Sequence, residues 1–119
     1  MHELNGYLIF LGLAQTNHVF YSGNPRVGTM LELTRLVDHI DANMYRFDAP
    51  FLALHGTSDT ITSPEGSKDL YERAAAKDRT LKLYEGACHS LIQGEQDDIK
   101  EAVLQDMKTW LDERVERKQ

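Results

Sequence analysis

The chain has 119 residues, of which 41% are hydrophobic and 27% are charged. This length fits a single domain, and the composition is typical of a soluble globular protein. The formal net charge of -6 argues against a nucleic-acid-binding protein, which usually carries a basic face. The single cysteine, Cys88, excludes a disulfide within these residues and favours a reducing compartment, so we expect a cytoplasmic protein.

The N-terminal part contains an uncharged apolar run at residues 6–14. This run is too short to cross a bilayer, which takes about 20 residues, so we expect no transmembrane segment. The residues before it include Glu3 but no Lys or Arg, which disfavours a signal peptide. We therefore interpret the run as an edge or buried strand. The sequence Ser22-Gly23-Asn24-Pro25 then predicts a turn.

The first predicted helix has Thr29 as its N-cap and ends near Arg46. Glu32 follows Thr29 at the spacing of a capping box. Hydrophobic residues recur at steps of three and four, which puts them on one helix face that needs a surface to cover. They are Leu33, Leu36, Val37, Ile40 and Met44. Pro50 marks the end of the break that separates this helix from the next element.

Two apolar runs, at residues 51–54 and 81–84, predict strands, the first of them buried on both faces. Between them, Ser63 as N-cap and Pro64 as the first helical residue predict a second helix. Its inner face is predicted to comprise Leu70, Tyr71, Ala74 and Ala75. A last helix is predicted from about residue 98 to residue 117.

The order helix, strand, helix, strand, helix predicts an α/β fold with a short parallel sheet. A parallel sheet normally has more than two strands and is covered by helices on both faces, so this sheet would be incomplete. We expect the first strand to have an open edge. Through that edge the chain could associate with itself or with a partner protein.

Each predicted strand is followed by a Gly-containing loop with a residue suited to catalysis. Asp59 follows the first strand and His89 follows the second. Because the carboxyl ends of parallel strands meet at one edge of a sheet, we expect these side chains to lie close together. An acid beside a histidine forms two of the three parts of a Ser-His-Asp triad. From spacing alone, Asp59 could equally cap its turn, and His89 could be an ordinary surface or core histidine.

Four segments strengthen the catalytic interpretation when they are taken together. They are Y-S-G-N-P-R-V-G-T at 21–29, P-F-L-A-L-H-G-T-S-D-T-I-T-S-P at 50–64, L-Y-E-G-A-C-H-S-L-I-Q-G-E at 83–95 and D-M-K-T-W-L-D-E-R-V at 106–115. These segments resemble the C-terminal portion of α/β-hydrolases of the monoacylglycerol lipase, plant lysophospholipase and caffeoylshikimate esterase type, within the serine aminopeptidase S33-type hydrolases. The resemblance implies a partial α/β-hydrolase domain at residues 21–117, with residues 1–20 unmatched.

The same resemblance implies catalytic positions for Asp59 and His89, a small-molecule ester or lipid substrate and no cofactor. A lipid substrate would also allow association with a membrane surface. In such enzymes the aspartate orients the histidine, which deprotonates a serine in an upstream G-x-S-x-G motif. The 119 residues contain no G-x-S-x-G.

Other residues are weaker candidates for a nucleophile or a metal ligand. Ser58 does not fit an elbow motif, because residue 60 is Thr where the motif has Gly. Ser90 and Cys88 are the immediate neighbours of His89, and neighbours in a loop seldom converge on one reacting atom. A metal site made by His55, Asp59 and His89 matches no common ligand spacing. We therefore expect a partial serine ester hydrolase, inactive alone. The alternatives are a non-catalytic interaction module and an unstable splice or gene-model fragment.

Overall fold

The computed structural model describes residues 23–117. The elements are α1 (Val27–Asn43), a 3₁₀ turn (Met44–Arg46), β1 (Phe51–Gly56), α2 (Pro64–Arg73), β2 (Arg79–Tyr84) and α3 (Asp97–Glu116). β1 and β2 are parallel, with Phe51 opposite Arg79 and Gly56 opposite Tyr84. The predicted α/β order is therefore present. The strand predicted at residues 6–14 lies outside the described residues, as does Ser22 of the predicted turn.

The start of α1 differs from the prediction. The N-cap is Arg26, not Thr29, and no side chain caps the helix, so the predicted capping box is wrong. The additional residues form the backbone bond from Met30 N to Arg26 O at 3.1 Å. A capping side chain is worth only about 1 kcal/mol, so it does not prevent a helix from extending one turn beyond it.

The apolar face of α1 is exposed in the described part of the chain. Four of its five predicted members are between 49% and 64% exposed: Leu33, Leu36, Val37 and Ile40. The fifth, Met44, lies in the 3₁₀ turn and is half-buried. Arg73 on α2 joins this helix to the remainder of the fold, through an ion pair of 2.6 Å with the carboxylate of Asp41. The amphipathic helix is therefore present, but residues 23–117 do not provide the surface that it was predicted to cover.

β1 is longer and less buried than predicted. It continues through His55 to Gly56, and its residues are half-buried except for Gly56, which is buried. The prediction that this strand is buried on both faces is therefore wrong for the described residues. The reason is that apolar strand side chains become buried only where helices cover them, and β2 is the sole neighbouring strand in this part of the chain.

α2 begins as predicted, with Pro64 at its first turn and the Ser63 hydroxyl accepting a hydrogen bond from Glu65 N at 3.3 Å. Its predicted inner face is only partly correct. Ala74, just after the helix, is 4% exposed, and Leu70 is half-buried. Tyr71 is 37% exposed, and Ala75 is also exposed. The helix ends at Arg73, so Ala75 no longer follows the helical periodicity.

α3 is attached to β2 at two places. Near the end of β2, the Tyr84 hydroxyl donates to Asp106 Oδ2 at 2.7 Å, and Lys82 pairs with the other oxygen of that carboxylate. Burial and this hydrogen bond raise the pKa of Tyr84. Val103 of α3 is 1% exposed and belongs to the small apolar core of residues 23–117.

The second attachment lies before β2, where Arg114 of α3 pairs with Asp78. The Arg114 guanidinium stacks 3.6 Å from the ring centre of Trp110 and donates to its backbone carbonyl at 2.7 Å. The buried indole N–H has no hydrogen-bond acceptor within residues 23–117. Cation–π stacking offsets part of the cost of that N–H.

The loops that follow β1 and β2 are joined by backbone hydrogen bonds. Thr57 N donates to Tyr84 O at 2.9 Å, and Ser58 N donates to Ala87 O at 3.0 Å. Gly56 lies where the loops touch, and a Cβ at this position would be 2.2 Å from the oxygen of Ala87. Only glycine fits this contact. The close approach therefore sets the distance between the two loops.

The Gly56→Ala variant tests this contact. We expect it to lower the free energy of unfolding by about 2 kcal/mol or more, because the methyl group meets backbone atoms that cannot rotate away. Urea unfolding followed by circular dichroism measures the change.

Gly66→Ala is the matched control, because a Cβ at Gly66 in α2 meets nothing within 4 Å. It should leave stability unchanged or raise it by up to about 1 kcal/mol, since alanine is the better helix former. Equal effects of the two substitutions would contradict the assigned role of Gly56.

Candidate active site

Asp59 lies in the loop after β1, and its own side chain shapes that loop. Asp59 Oδ1 accepts hydrogen bonds from Ile61 N at 2.8 Å and from Thr62 N at 2.9 Å. Such bonds from a carboxylate to amides two and three residues on stabilise a tight turn. The side chain is 2% exposed. One oxygen of Asp59, Oδ1, thus caps the turn, and the other oxygen, Oδ2, can make a different contact.

That other oxygen contacts His89, in the loop after β2. His89 Nδ1 lies 2.9 Å from Asp59 Oδ2 and 3.2 Å from the Thr62 hydroxyl. The predicted meeting of the two loops at the carboxyl edge of the sheet is therefore present in the structure. The His89 side chain is 45% exposed, so the imidazole lies between the buried carboxylate and solvent.

The charge state of Asp59 follows from competing effects. Burial raises the pKa of this carboxyl group. Hydrogen bonds from the amide and hydroxyl of Thr62, the imidazole of His89 and the amide of Ile61 act in the opposite direction and outweigh burial. The pKa of Asp59 is thereby held well below its usual value of 3.8. The carboxylate is ionised at neutral pH and accepts a hydrogen bond from His89 Nδ1–H. In a neutral imidazole this leaves the lone pair on Nε2.

The structure also brings His55, near the end of β1, to the same carboxylate. His55 Nε2 lies 3.0 Å from Asp59 Oδ2, and the His55 side chain is 13% exposed. The sequence indicated this histidine only as a candidate metal ligand. A ring that folds back onto a residue four positions later has no signature in strand periodicity. Within residues 23–117 no cluster of His, Cys, Asp and Glu is arranged to hold a metal ion.

A second carboxylate supports the loop of His89. Glu95 is 4% exposed, and its Oε1 accepts a hydrogen bond from the backbone amide of Cys88, the residue before the histidine. A buried carboxylate needs such donors, because an unpaired one is costly. The sequence resemblance included Glu95 without giving it a role, since an acid in a glycine-containing loop is usually solvated. Ser90 accepts from Gly94 N at 2.8 Å through its backbone in the same loop.

Asp59 and His89 line a pocket of about 230 Å³ at the edge of the sheet. Leu54 of β1 and Leu91 of the second loop supply apolar walls, and Thr62 supplies a hydroxyl. The pocket therefore combines an acid–histidine pair with apolar surface. No helix in the described part of the chain is both long and apolar enough to cross a membrane.

Residues 12–97 match the family described as serine aminopeptidase, S33. The chain is 48% identical over 107 residues to caffeoylshikimate esterase from Arabidopsis thaliana. The matched region covers 90% of this chain and 32% of that protein. The chain thus spans about a third of the length of this relative.

Solved structures of two monoglyceride lipases share the fold. The enzyme from Paleococcus ferrophilus superposes with a TM-score of 0.60 and 33% sequence identity, over 66% of this chain and 30% of that one. A soluble variant from Saccharomyces cerevisiae, in complex with a substrate analog, gives a TM-score of 0.55 and 36% identity, over 60% of this chain and 28% of that one. The described fold is therefore part of an α/β-hydrolase fold.

The low pKa of Asp59 gives a pH-dependent stability that can be measured. A carboxylate whose pKa is lowered in the folded state stabilises the fold above its unfolded pKa, and this stabilisation is lost as the pH falls toward the folded value. We expect the stability difference between wild type and Asp59→Asn to shrink by about 1 kcal/mol between pH 5 and pH 3. Urea unfolding at both pH values measures it.

Asp69→Asn is the control for this titration, because Asp69 is an exposed carboxylate on α2. Its stability difference from wild type should change little over the same interval. A difference for Asp59→Asn that stays constant from pH 5 to pH 3 would show that the carboxylate is not held by these donors in solution.

Proposed function

Because the chain belongs to the serine aminopeptidase S33 family of hydrolases, we propose that it carries the acid–histidine part of a serine ester hydrolase of the monoacylglycerol lipase type. Asp59 and His89 are the proposed pair. The observation that carries the proposal is the 2.9 Å contact between His89 Nδ1 and the buried oxygen of Asp59. This contact fixes the imidazole in the tautomer that general-base catalysis requires.

The proposed chemistry follows from the two ring nitrogens of His89. With its Nδ1–H bonded to Asp59, the imidazole presents Nε2 as the base that removes the proton of a serine hydroxyl. The serine oxygen then attacks the ester carbonyl, and the imidazolium returns the proton to the departing alcohol, which leaves an acyl-enzyme. The same imidazole then takes a proton from water, which attacks the acyl group and releases the acid, and the proton returns to the serine oxygen. The ionised Asp59 stabilises the imidazolium without becoming protonated itself.

The nucleophile is not assigned to any residue of this chain. A G-x-S-x-G motif is absent from the 119 residues, and the relative with 48% identity is about three times as long as the matched region. We therefore propose that the serine and the oxyanion donors belong to sequence outside these residues. Without them these residues alone should hydrolyse esters negligibly, because each contributes several orders of magnitude to the rate.

The substrate class is proposed as a carboxylic ester with an apolar part. The matched relatives are an esterase and monoglyceride lipases by name. Leu54 and Leu91 beside the pair supply apolar surface for such a substrate. The proposal includes no cofactor, since the acid, the histidine and a serine together suffice for this reaction.

The proposal is tested first by hydrolysis of a short-chain ester and a monoacylglycerol by the purified chain. We expect no hydrolysis above that of His89→Ala, because the base has no serine to activate. Activity that disappears in His89→Ala would overturn the assignment of the nucleophile to sequence outside the chain. Ser58, Ser90 and Cys88 would then be substituted in turn.

The roles of Asp59 and His89 are tested in a chimera with the Arabidopsis esterase, in which residues 23–117 replace the matching region. We expect this chimera to hydrolyse esters, His89→Ala to lower kcat by about 10⁵-fold or more, and Asp59→Asn by about 10⁴-fold. His39→Ala on the exposed face of α1 and Asp69→Asn on α2 are the matched controls. Full activity with His89→Ala, in a chimera that is active, would refute the proposed pair.

An interaction module is the alternative function, and its basis is surface rather than chemistry. The apolar face of α1 is exposed, and within residues 23–117 β1 has a strand partner on one side only. If the chain associates through these surfaces, its sedimentation mass should rise with concentration, because burial of apolar area drives such association. A constant monomer mass over a wide range of concentration would exclude self-association.

A further inference from the structure

Two imidazoles share one carboxylate oxygen at the edge of the sheet. Asp59 Oδ2 lies 2.9 Å from His89 Nδ1 and 3.0 Å from His55 Nε2. The two rings differ in environment, since the His89 side chain is 45% exposed and that of His55 is 13% exposed. His55 therefore holds the carboxylate from the interior of the fold, and His89 meets it from the solvent side.

The contacts of His55 determine its tautomer. Its Nε2 lies 3.0 Å from Asp59 Oδ2 and 3.1 Å from the backbone carbonyl oxygen of Thr62. A carbonyl oxygen and an ionised carboxylate can only accept hydrogen bonds, so Nε2 must carry the proton, which it donates to the Thr62 carbonyl while lying beside the carboxylate. In the neutral ring Nδ1 is then an acceptor.

Ser67 on α2 completes the arrangement. Its hydroxyl lies 2.7 Å from His55 Nδ1 and donates to the neutral ring. The imidazole is thus fixed at both nitrogens. It connects the end of β1, the carbonyl of Thr62 and the first half of α2 across the loop that carries Asp59.

The hydrogen bonds to Asp59 come from within its own loop or from His89. The amides of Ile61 and Thr62 bond Oδ1, and the Thr62 hydroxyl bonds Oδ2 at 2.8 Å. These groups move with the loop. His55 belongs to the sheet, so its 3.0 Å contact relates the position of the carboxylate to a rigid element. An oriented partner of this kind fixes which nitrogen of the next ring carries the proton.

We propose that His55 is a positioning residue, which fixes the Asp59 carboxylate so that His89 is held with its proton on Nδ1 and its lone pair on Nε2. Ser67 is the residue that orients His55. This inference rests on the proposed function for its catalytic meaning. The chain of polar contacts from Ser67 through His55 and Asp59 to His89 can be tested without any ester substrate.

The test is the tautomer of each histidine in the 119-residue chain, read from two-bond ¹H–¹⁵N spectra at about pH 8.5, where imidazoles are neutral. We expect the nitrogen shifts of a protonated Nε2 for His55 and of a protonated Nδ1 for His89. The exposed His39 on α1 supplies the reference for a ring whose tautomers interconvert.

The informative variants are His55→Leu and His55→Gln. Leucine removes the donor, so the His89 shifts should move to the averaged values of His39. The glutamine amide can donate from a position similar to that of Nε2, so His55→Gln should retain the protonated Nδ1 of His89. His39→Leu is the matched control and should change neither ring at the site.

Ser67→Ala keeps the imidazole and removes only its orienting partner, so it tests the proposal even if His55→Leu fails to fold. Without the hydroxyl at Nδ1 the ring can turn away from the two acceptors at Nε2, so we expect averaged nitrogen shifts for His55 and a partial loss of the Nδ1–H signature of His89. Unchanged spectra of both rings in Ser67→Ala would overturn the proposal. A protonated Nδ1 retained by His89 in folded His55→Leu would do the same.

The outcome is independent of the ester assays. A tautomer that responds to His55 in a chain whose chimera hydrolyses nothing would support positioning by His55 and refute the proposed function. An active chimera with a His89 tautomer that ignores His55 would support the function and refute the inference. A wild-type chain in which His55 itself gives averaged shifts would also refute it.

Discussion

The site depends on the contact between the two loops that follow β1 and β2. The parallel register places the strand ends side by side, and the absence of a side chain at Gly56 lets the loops approach to backbone contact. The bonds from Thr57 N to Tyr84 O and from Ser58 N to Ala87 O then fix one loop against the other. Asp59 and His89 come into hydrogen-bond distance as a result. The geometry of the pair is thus a property of backbone packing rather than of the two side chains alone.

The buried carboxylate shows why the arrangement is held so closely. Removing an ionised group from water is costly unless donors replace the lost solvent. Asp59 receives hydrogen bonds from its own turn and from His89 of the second loop, and His55 of the strand lies 3.0 Å from the same carboxylate. Each donor lowers the cost of burial and restricts the orientation of the carboxylate. The contacts that stabilise the buried carboxylate therefore also fix its orientation, and a fixed orientation is the condition for electrostatic preorganisation.

The sequence predicted the element order, the parallel pairing and the meeting of Asp59 with His89, because these follow from strand periodicity and from where parallel strands end. It predicted less well where an outcome depends on competing small energies. Thr29 has the spacing of a cap, yet an extra turn of backbone bonds outweighs it. Burial of β1 was predicted from its apolar residues, but burial also requires covering elements, and the described residues supply few. The contact of His55 was missed because a folded-back ring leaves no trace in spacing.

The stacking of Arg114 on Trp110 has a practical consequence. The chain contains a single tryptophan, and its ring lies beside a guanidinium that is paired with Asp78, just before β2. Indole fluorescence is sensitive to nearby charge and to water, so the emission of Trp110 reports whether α3 is seated on the strands. The loops that carry Asp59 and His89 lie at the opposite end of β2. If a substitution in those loops leaves the emission of Trp110 unchanged, it has altered the site while α3 stays packed against the strands.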